Sequence, residues 1–426
     1  MNAAPIETDM DAFIERARAW LSHNAPRRDG QEGEQHRIRG GDDFGDDFSV
    51  AVFHNLSFDE EKQALDDLVA WNARKQRLGY HAVDWPAEFG GLGLTKAHAA
   101  AFGRLERDYD TPASHELFAV TKLLIAPTVA HYGTAEQKAR FIEPLLAAEI
   151  LCCQLFSEPG AGSDLAGLAC RAVRDGAGWI VNGQKVWSSG AQFADWGLLI
   201  ARSDPDVVKH SGMTAFMLPL DHPGVDVRPI KQMSGGSSFN EVFISEAELP
   251  DDLRLGREGD GWRVALATLD YERDHSSNET STPTGGTWEQ LLDTARMVGV
   301  TDDPPMREAM MHMYVHRRVE HLLNRRAADL ARSGRPGPAG SLGRIFWTQG
   351  ITMMSDVISR VLGLRLVADT TEWGTYEWGE HVLGAPGYRI AGGSDEIQRN
   401  VIGERVLGLP REPRVDRDMP WKDVPR

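Results

Sequence analysis

Cysteine is scarce: three in 426 residues, with Cys152 and Cys153 adjacent and Cys170 distant. Three thiols cannot staple a chain this long, and without a Cys-x-x-Cys spacing neither a disulfide framework nor a zinc site is expected. Long apolar runs are lacking too. No stretch approaches transmembrane length, and the opening "MNAAPIETDMDAFIERARAW" has no basic segment followed by an apolar one. The expectation is a cytoplasmic protein with no membrane segment. Basic residues are outnumbered, 46 against 63 acidic, for a formal charge of −17. That balance argues against nucleic acid or an anionic membrane as a general partner. No GxSxG, P-loop or GxGxxG stands in a convincing setting, and "GGLGL" at 90–94 reads as a loop rather than a phosphate cradle. His312 and His316 share a helix face, but without the glutamate of HExxH they read as a polar face, and no metal is expected.

Hydrophobic residues make up 41% of the chain, enough for real cores. Its length exceeds what one core usually supports, so two or three domains follow. Residues 57–79 begin with a capping box, Ser57 and Glu60, and end at Gly79. Thr134 and Gln137 open a second helix, in which Pro144 predicts a kink or an early end. After about residue 150 the texture changes. "GWIVNGQKVW" is β-rich with an Asn-Gly turn, and "WGLLIAR", "MTAFMLP" and "NEVFI" are short apolar segments between turn residues. From Asp260 helices return, with one long helix expected over 304–332 and a break at "SGRPGPAGS", 333–341. "GDDFGDDF" is a small tandem repeat that reads as a solvated loop. The order is helices, strands, helices, divided at 1–150, 151–257 and 258–426.

"SEPGAGSD", residues 157–164, is a glycine-rich turn after the apolar strand "LCCQLF"; alone it is an ordinary β-turn. Its sequel is more specific. "CCQLFSEPGAGSDLAGL" is followed by "VNGQKVWSSGAQFADWGLLIAR", "MSGGSSFNEVFISEAELP", "GREGDGWRVALATLDYER" and "GGSDEIQRNVIGERVLG". This series, from about "WPAEFGGLGL" at 85 to "GLP" at 410, resembles the acyl-CoA dehydrogenases. The resemblance implies an α+β fold: an N-terminal helical domain, a middle β-barrel-like domain and a C-terminal four-helix bundle. It also implies FAD as cofactor, an acyl-CoA thioester as substrate and an electron-transfer flavoprotein as electron acceptor.

The family's site residues transfer position by position. Gln154, Phe156 and Ser157 match the strand and turn that edge the flavin ring, and Trp187 and Ser189 match the pair that covers it. An indole face and small hydroxyls suit a flat amphipathic heterocycle. Ser163 matches a residue at the thioester-binding end. Ser394 and Glu396 match the cofactor-facing start of the last helix, where a cap and first-turn acids are expected.

One residue is missing. Many family members carry the catalytic glutamate where this chain has Gly392, which cannot take an α-proton. A minority place the glutamate on an earlier helix directly before an arginine, and here "GWRVALATLDYERD" has Glu272 before Arg273. Glu272 is thus expected as the base, with Arg273 ordering the site, since a guanidinium stays charged. The competing reading is a solvated helix glutamate. The backbone N–H of Gly392 needs no side chain and is expected to polarise the thioester carbonyl. Loss of a side chain there also implies a widened acyl pocket beside Gly392, unless neighbouring side chains collapse into it.

Two stretches depart from the family pattern. "DTARMVGVTDDPP" and "EWGEHVLGAPGYRI" are poor matches to the segments that supply the adenine half of FAD from a neighbouring subunit, and "SSNETSTPTGG" interrupts the helix after Glu272. Assembly is expected as a homo-tetramer or dimer, or as a hetero-oligomer. Two other functions stay open: a flavin-binding or structural partner subunit of a heteromeric dehydrogenase, and a flavin monooxygenase on the same fold.

Overall fold

Helix starts follow their capping residues. The Ser57 N–H donates to the Glu60 carboxylate and the Glu60 N–H to the Ser57 hydroxyl, and the helix Phe58–Gln76 runs from there with Leu65, Leu68 and Trp71 buried. Thr134 and Gln137 make the same reciprocal pair ahead of the helix Ala135–Ala147. Pro144 lies inside that helix, which closes soon afterwards through Ala148 in the left-handed region, φ 56°. The computed structural model describes residues 9–28, 50–276, 285–333, 339–368, 375, 377–413 and 416–425, apart from the side chains of 273–276, 331, 332 and 339. The "GDDFGDDF" repeat, most of "SSNETSTPTGG", the centre of "SGRPGPAGS" and the Arg273 side chain lie outside the described residues.

A continuous helical rod spans 116–132 with a defect at its centre. The helix Glu116–Ala119 passes into a π-helix over Val120–Ile125 and then into the helix Ala126–Tyr132. Pro127 explains the defect: it has no N–H to donate back one turn, and its ring crowds the carbonyl there. A widened turn relieves that clash, and such turns are frequent at functional sites. Thr121 ties the π-helix to the sheet, since its hydroxyl donates to the Leu117 carbonyl and accepts from the Cys152 N–H at 2.9 Å.

The middle region is one sheet of eight strands: β1 (Cys152–Leu155), β2 (Arg171–Asp175), β3 (Gly178–Lys185), β4 (Trp196–Arg202), β5 (Met213–Pro219), β6 (Val225–Ile230), β7 (Phe239–Pro250) and β8 (Arg254–Leu255). Their order is β6-β7-β3-β2-β4-β5-β8, and β1 pairs parallel to β4. The expected Asn-Gly turn is a bulge within β3, where the register against β7 shifts between Val181 and Gly183. A Cβ on Gly183 would lie 2.6 Å from the Cys170 Cβ, so glycine serves close backbone approach here rather than a hairpin. Asn182 accepts the Glu246 N–H across the bulge.

Helices resume with Gly261–Ser276, Trp288–Val298, Pro304–Arg332, Ala339–Leu362, Glu377–Tyr388 and Asp395–Val401. The expected long helix is unbroken over its 29 residues. Met306, Met310 and Met313 on its inner stripe pack with Met354, Val357 and Ile358, and Trp378 closes that core. A separate core joins the N-terminal helices to the sheet through Ile125, Val129, Phe141, Leu155, Leu198 and Phe216. The active-site candidates lie where these layers meet. Among the described residues no helix is long and apolar enough to cross a membrane.

Candidate active site

Glu272 is delivered by a buried helix face. Gly261 starts its helix against β5, where a Cβ would sit 2.6 Å from the Met213 carbonyl carbon. From there Val264 and Thr268 are fully buried at intervals of four residues. The Thr268 hydroxyl donates to the Val264 carbonyl and lies 3.0 Å from that of Thr128 on the rod 116–132. Glu272 is the next residue on this face, one turn on, and it emerges partly buried at the end of the contact. A Cβ built on Gly392 would stand 3.3 Å from its Oε1. The carboxylate from the earlier helix therefore occupies the neighbourhood of the side chain that Gly392 lacks.

Arg344 shares that neighbourhood. Its Nη2 would lie 3.2 Å from the same Cβ and donates to the carbonyls of Ala391 and Tyr388, at 2.6 and 3.1 Å. Its guanidinium stacks over Trp347 and Tyr388. Burial works against the Arg344 charge, while Tyr388, Glu272 and Asp395 act in its favour. Arg344 and Glu272 therefore crowd the place a Cβ on Gly392 would take, while Gly392 itself is exposed. Gly392 itself has φ +62°, a region that disfavours any side chain.

Glu272 opens onto a cavity of about 220 Å³. The π-helix and its neighbours supply one wall, Ala119, Val120, Leu123 and Leu124; Gln154, Trp187 and Ser189 supply the other, and Glu116 joins them. A larger groove of about 400 Å³, lined by residues such as Glu88, Phe89, Lys138 and Glu143, gathers no comparable set of chemistry-bearing groups.

Trp187 carries the most telling backbone. Its φ of 62° is uncommon for any residue with a side chain, and its indole is 60% exposed. Hydrogen bonds on both sides clamp it: the Val186 N–H to the Ser157 carbonyl, a reciprocal Ser188–Asn240 backbone pair, and the Gly190 N–H to Ser238. A strained, exposed aromatic so firmly held suits a flat ligand against its face. The turn at Ser157 is pinned from below. Lys185, fully buried, donates to Glu158 Oε1 at 2.7 Å and to the carbonyls of Phe156 and Ile200. Glu158 in turn accepts the N–H groups of Ala169 and Cys170.

Glu116 is held as deliberately. It follows His115, whose Nδ1 accepts the Leu117 N–H and whose Nε2 reaches Glu61 Oε1 at 3.0 Å. Glu61 also meets His54 Nε2 at 3.2 Å and the Gln192 amide at 3.1 Å. Burial pushes the Glu61 carboxyl up, but hydrogen bonds from His115 and His54 outweigh it and leave it at about 2. His54, Glu61 and His115 are close enough to suggest a metal site. Because His115 accepts at Nδ1, its proton belongs on Nε2, where it bonds Glu61 instead of presenting a lone pair. The cluster is a brace that joins the start of the rod to the loop carrying Ser189 and Gln192.

The structure brings Glu272, Gln154, Trp187 and Ser189 to one cavity, with Ser157 behind Trp187 and Gly392 at the Glu272 carboxylate. Phe156 is buried beside Ser157. Ser163 is exposed on its turn, outside the cavity wall. Ser394 caps the helix Asp395–Val401 by accepting the Ile397 N–H, and Glu396 is exposed and faces Arg399 at 3.8 Å. His316 is occupied by the Phe346 carbonyl at 2.6 Å. Sequence reasoning missed Glu116, Arg344 and the π-helix wall, for which Pro127 inside a helical pattern was the available signal.

Three acyl-CoA dehydrogenase domain families match the chain in order: the N-terminal domain over 54–149, the middle domain over 153–246 and the C-terminal domain over 259–407. The chain belongs to the acyl-CoA dehydrogenase family, whose members are FAD-dependent oxidoreductases acting on CH–CH bonds. It is similar to acyl-CoA dehydrogenase IpdE1 of Mycobacterium tuberculosis, 37% identical over 83% of this chain and 90% of the relative. It is also similar to acyl-CoA dehydrogenase FadE34 of the same organism, 39% identical over 86% of this chain and 48% of the relative. Among solved structures, the Tcur3481-Tcur3483 steroid ACAD superposes with a TM-score of 0.71 at 22% identity, covering 96% of this chain and all of that one. The ChsE4-ChsE5 complex from Mycobacterium tuberculosis gives 0.68 at 24% identity, over 97% of this chain and all of that one.

Proposed function

We propose that this chain binds FAD against Trp187 and dehydrogenates an acyl-CoA thioester between its α and β carbons, with Glu272 as the base. The observation that carries the reading is the Glu272 carboxylate beside Gly392, facing the cavity that holds Gln154, Trp187 and Ser189. When bound, FAD supplies the acceptor for the β-hydride. The chain's own residues do the rest. Trp187 and the Ser157 turn hold the ring, while the wall of Leu123, Leu124 and Val120 excludes water and receives the acyl group. Glu272 takes the α-proton on a carboxylate oxygen, and the Gly392 N–H polarises the thioester carbonyl. Arg344 holds the Gly392 loop by its carbonyls and sets a positive charge beside the base. Arg273 is assigned an ordering role from its place in the motif. Ser163, Ser394 and Glu396 are carried over as substrate and cofactor contacts on their motif positions.

Electron-transfer flavoprotein is the proposed acceptor, by family membership. The family holds the adenine half of FAD with a neighbouring subunit, and because the segments 293–305 and 377–390 depart from that pattern we assign it here to a neighbour that need not be identical. The names IpdE1 and steroid ACAD motivate a ring-bearing acyl group as the substrate to try first. The test is anaerobic addition of butyryl-CoA, palmitoyl-CoA, a 2-methyl-branched thioester and a steroid-side-chain thioester to the yellow protein. Bleaching of the flavin by at least one is expected. Retention of full colour with all four would overturn the dehydrogenase reading and favour a partner subunit.

Trp187→Ala and Ser157→Ala are each expected to weaken FAD retention or shift its absorbance, read as flavin per chain after gel filtration. If both variants keep wild-type flavin content and spectrum, the assignment of these residues to the ring fails. A lower melting temperature with normal flavin in Trp187→Ala would reveal a packing role alone.

A further inference from the structure

The cavity contains a second carboxyl group for which α-proton removal has no use. Glu116 faces the same 220 Å³ space as Glu272, and its Oε1 accepts the Ser189 hydroxyl at 3.0 Å. A carboxyl group in a wall otherwise built from Ala119, Val120, Leu123 and Leu124 is costly to desolvate against a plain hydrocarbon chain. Yet the fold invests a brace in it: His115 caps the Glu116 helix, Glu61 holds His115, and Gln192 on the Ser189 loop closes the circuit. From this geometry we infer that Glu116 is a specificity determinant, hydrogen-bonding a hydroxyl or carbonyl oxygen on the acyl group within a few carbons of the reacting bond.

The inference rests on the dehydrogenase reading and adds the class of acyl group. Glu116 lines the cavity and keeps open surface there for a ligand to meet. Burial pushes the Glu116 carboxyl above the ordinary carboxylate range, with the Ser189 hydrogen bond opposing it. A protonated Glu116 donates to a ligand oxygen, whereas an ionised one accepts from a hydroxyl, so either state prefers an oxygenated acyl group to a hydrocarbon. The pair of carboxyls then divides the labour: Glu272 beside the Arg344 cation for the proton, Glu116 beside a neutral hydroxyl for recognition.

The test uses the FAD-loaded protein and two thioesters of one carbon skeleton, one bearing a hydroxyl or ketone on the acyl group and one lacking it. For the wild type, kcat/KM with an artificial electron acceptor is expected to favour the oxygenated thioester by about tenfold to a hundredfold, the range for an unpaired polar group in a partly desolvated site. In Glu116→Leu that ratio is expected to fall to near one, with Glu116→Gln between. Binding of both thioesters to Glu272→Gln, with and without Glu116→Leu, repeats the comparison without turnover and shows the same collapse in the ratio of dissociation constants. An equal loss for both thioesters in Glu116→Leu would reduce Glu116 to a support for Ser189 and overturn the inference. So would a wild-type ratio near one. Failure of every thioester to bleach the wild-type flavin would instead strike the dehydrogenase reading, which the binding comparison tells apart.

Discussion

Glu272→Gln is expected to lower kcat by about 10²–10⁴-fold or more while FAD stays bound, as loss of a general base does. Glutamine keeps the size of the side chain and its contact with Gly392, so a fall in rate reports lost basicity rather than a collapsed cavity. The location of the carboxylate makes the prediction strict. Gly392 has no side chain, the Gly392 loop is held by Arg344, and Glu116 stands at the Ser189 hydroxyl rather than beside Gly392. Measured by steady-state turnover beside a flavin spectrum, a near-normal kcat with normal flavin would remove Glu272 from the mechanism. Adding a carboxylate back at position 392 is not expected to rescue the variant, because φ +62° strains any side chain there and its Cβ would crowd Arg344 and residue 272 at 3.2 and 3.3 Å.

Lys185→Met should destabilise the fold by about 3–5 kcal/mol, the usual cost of stranding one member of a buried ion pair. Lys185 is fully buried and donates to three oxygens, so its removal leaves Glu158 without its cation and takes a donor from two carbonyls. Denaturant titration measures the loss, and flavin content should drop with it, because the same contacts hold the Ser157 turn. Lys185→Met combined with Glu158→Gln should recover part of the stability by removing the stranded charge. A loss below about 1 kcal/mol in the single variant would mean that the turn is held by its backbone bonds alone.

Local signals carried much of this structure. Both predicted capping boxes are present, the long helix over 304–332 is continuous, and "WGLLIAR" and "MTAFMLP" are buried neighbouring strands. These features depend on residues a few positions apart, whose physics is complete within the segment. The Asn-Gly pair misled because Gly183 answers to Cys170, a residue thirteen positions away at the approach to β2. Pro127 went unread as a mark of irregularity in the rod 116–132, and whether a helix breaks, kinks or widens at a proline depends on what packs around it. Here Thr121 fastens the widened turn to β1.

The site divides along the same line. By itself the sequence determined that position 392 bears no carboxylate and that a glutamate stands before an arginine at 272, because these are identities, and that the motif series is that of an acyl-CoA dehydrogenase. Only the tertiary structure decided that Glu272 reaches the space beside Gly392, that Arg344 stands there with it, and that Glu116 meets Ser189. Residues 116, 189, 272, 344 and 392 lie on separate elements, and their meeting depends on how the rod, the sheet and the bundle pack. A helix face can be read from spacing of three and four residues. The distance between two such faces is set by every side chain between them, and that information is spread over the whole core rather than held in any motif.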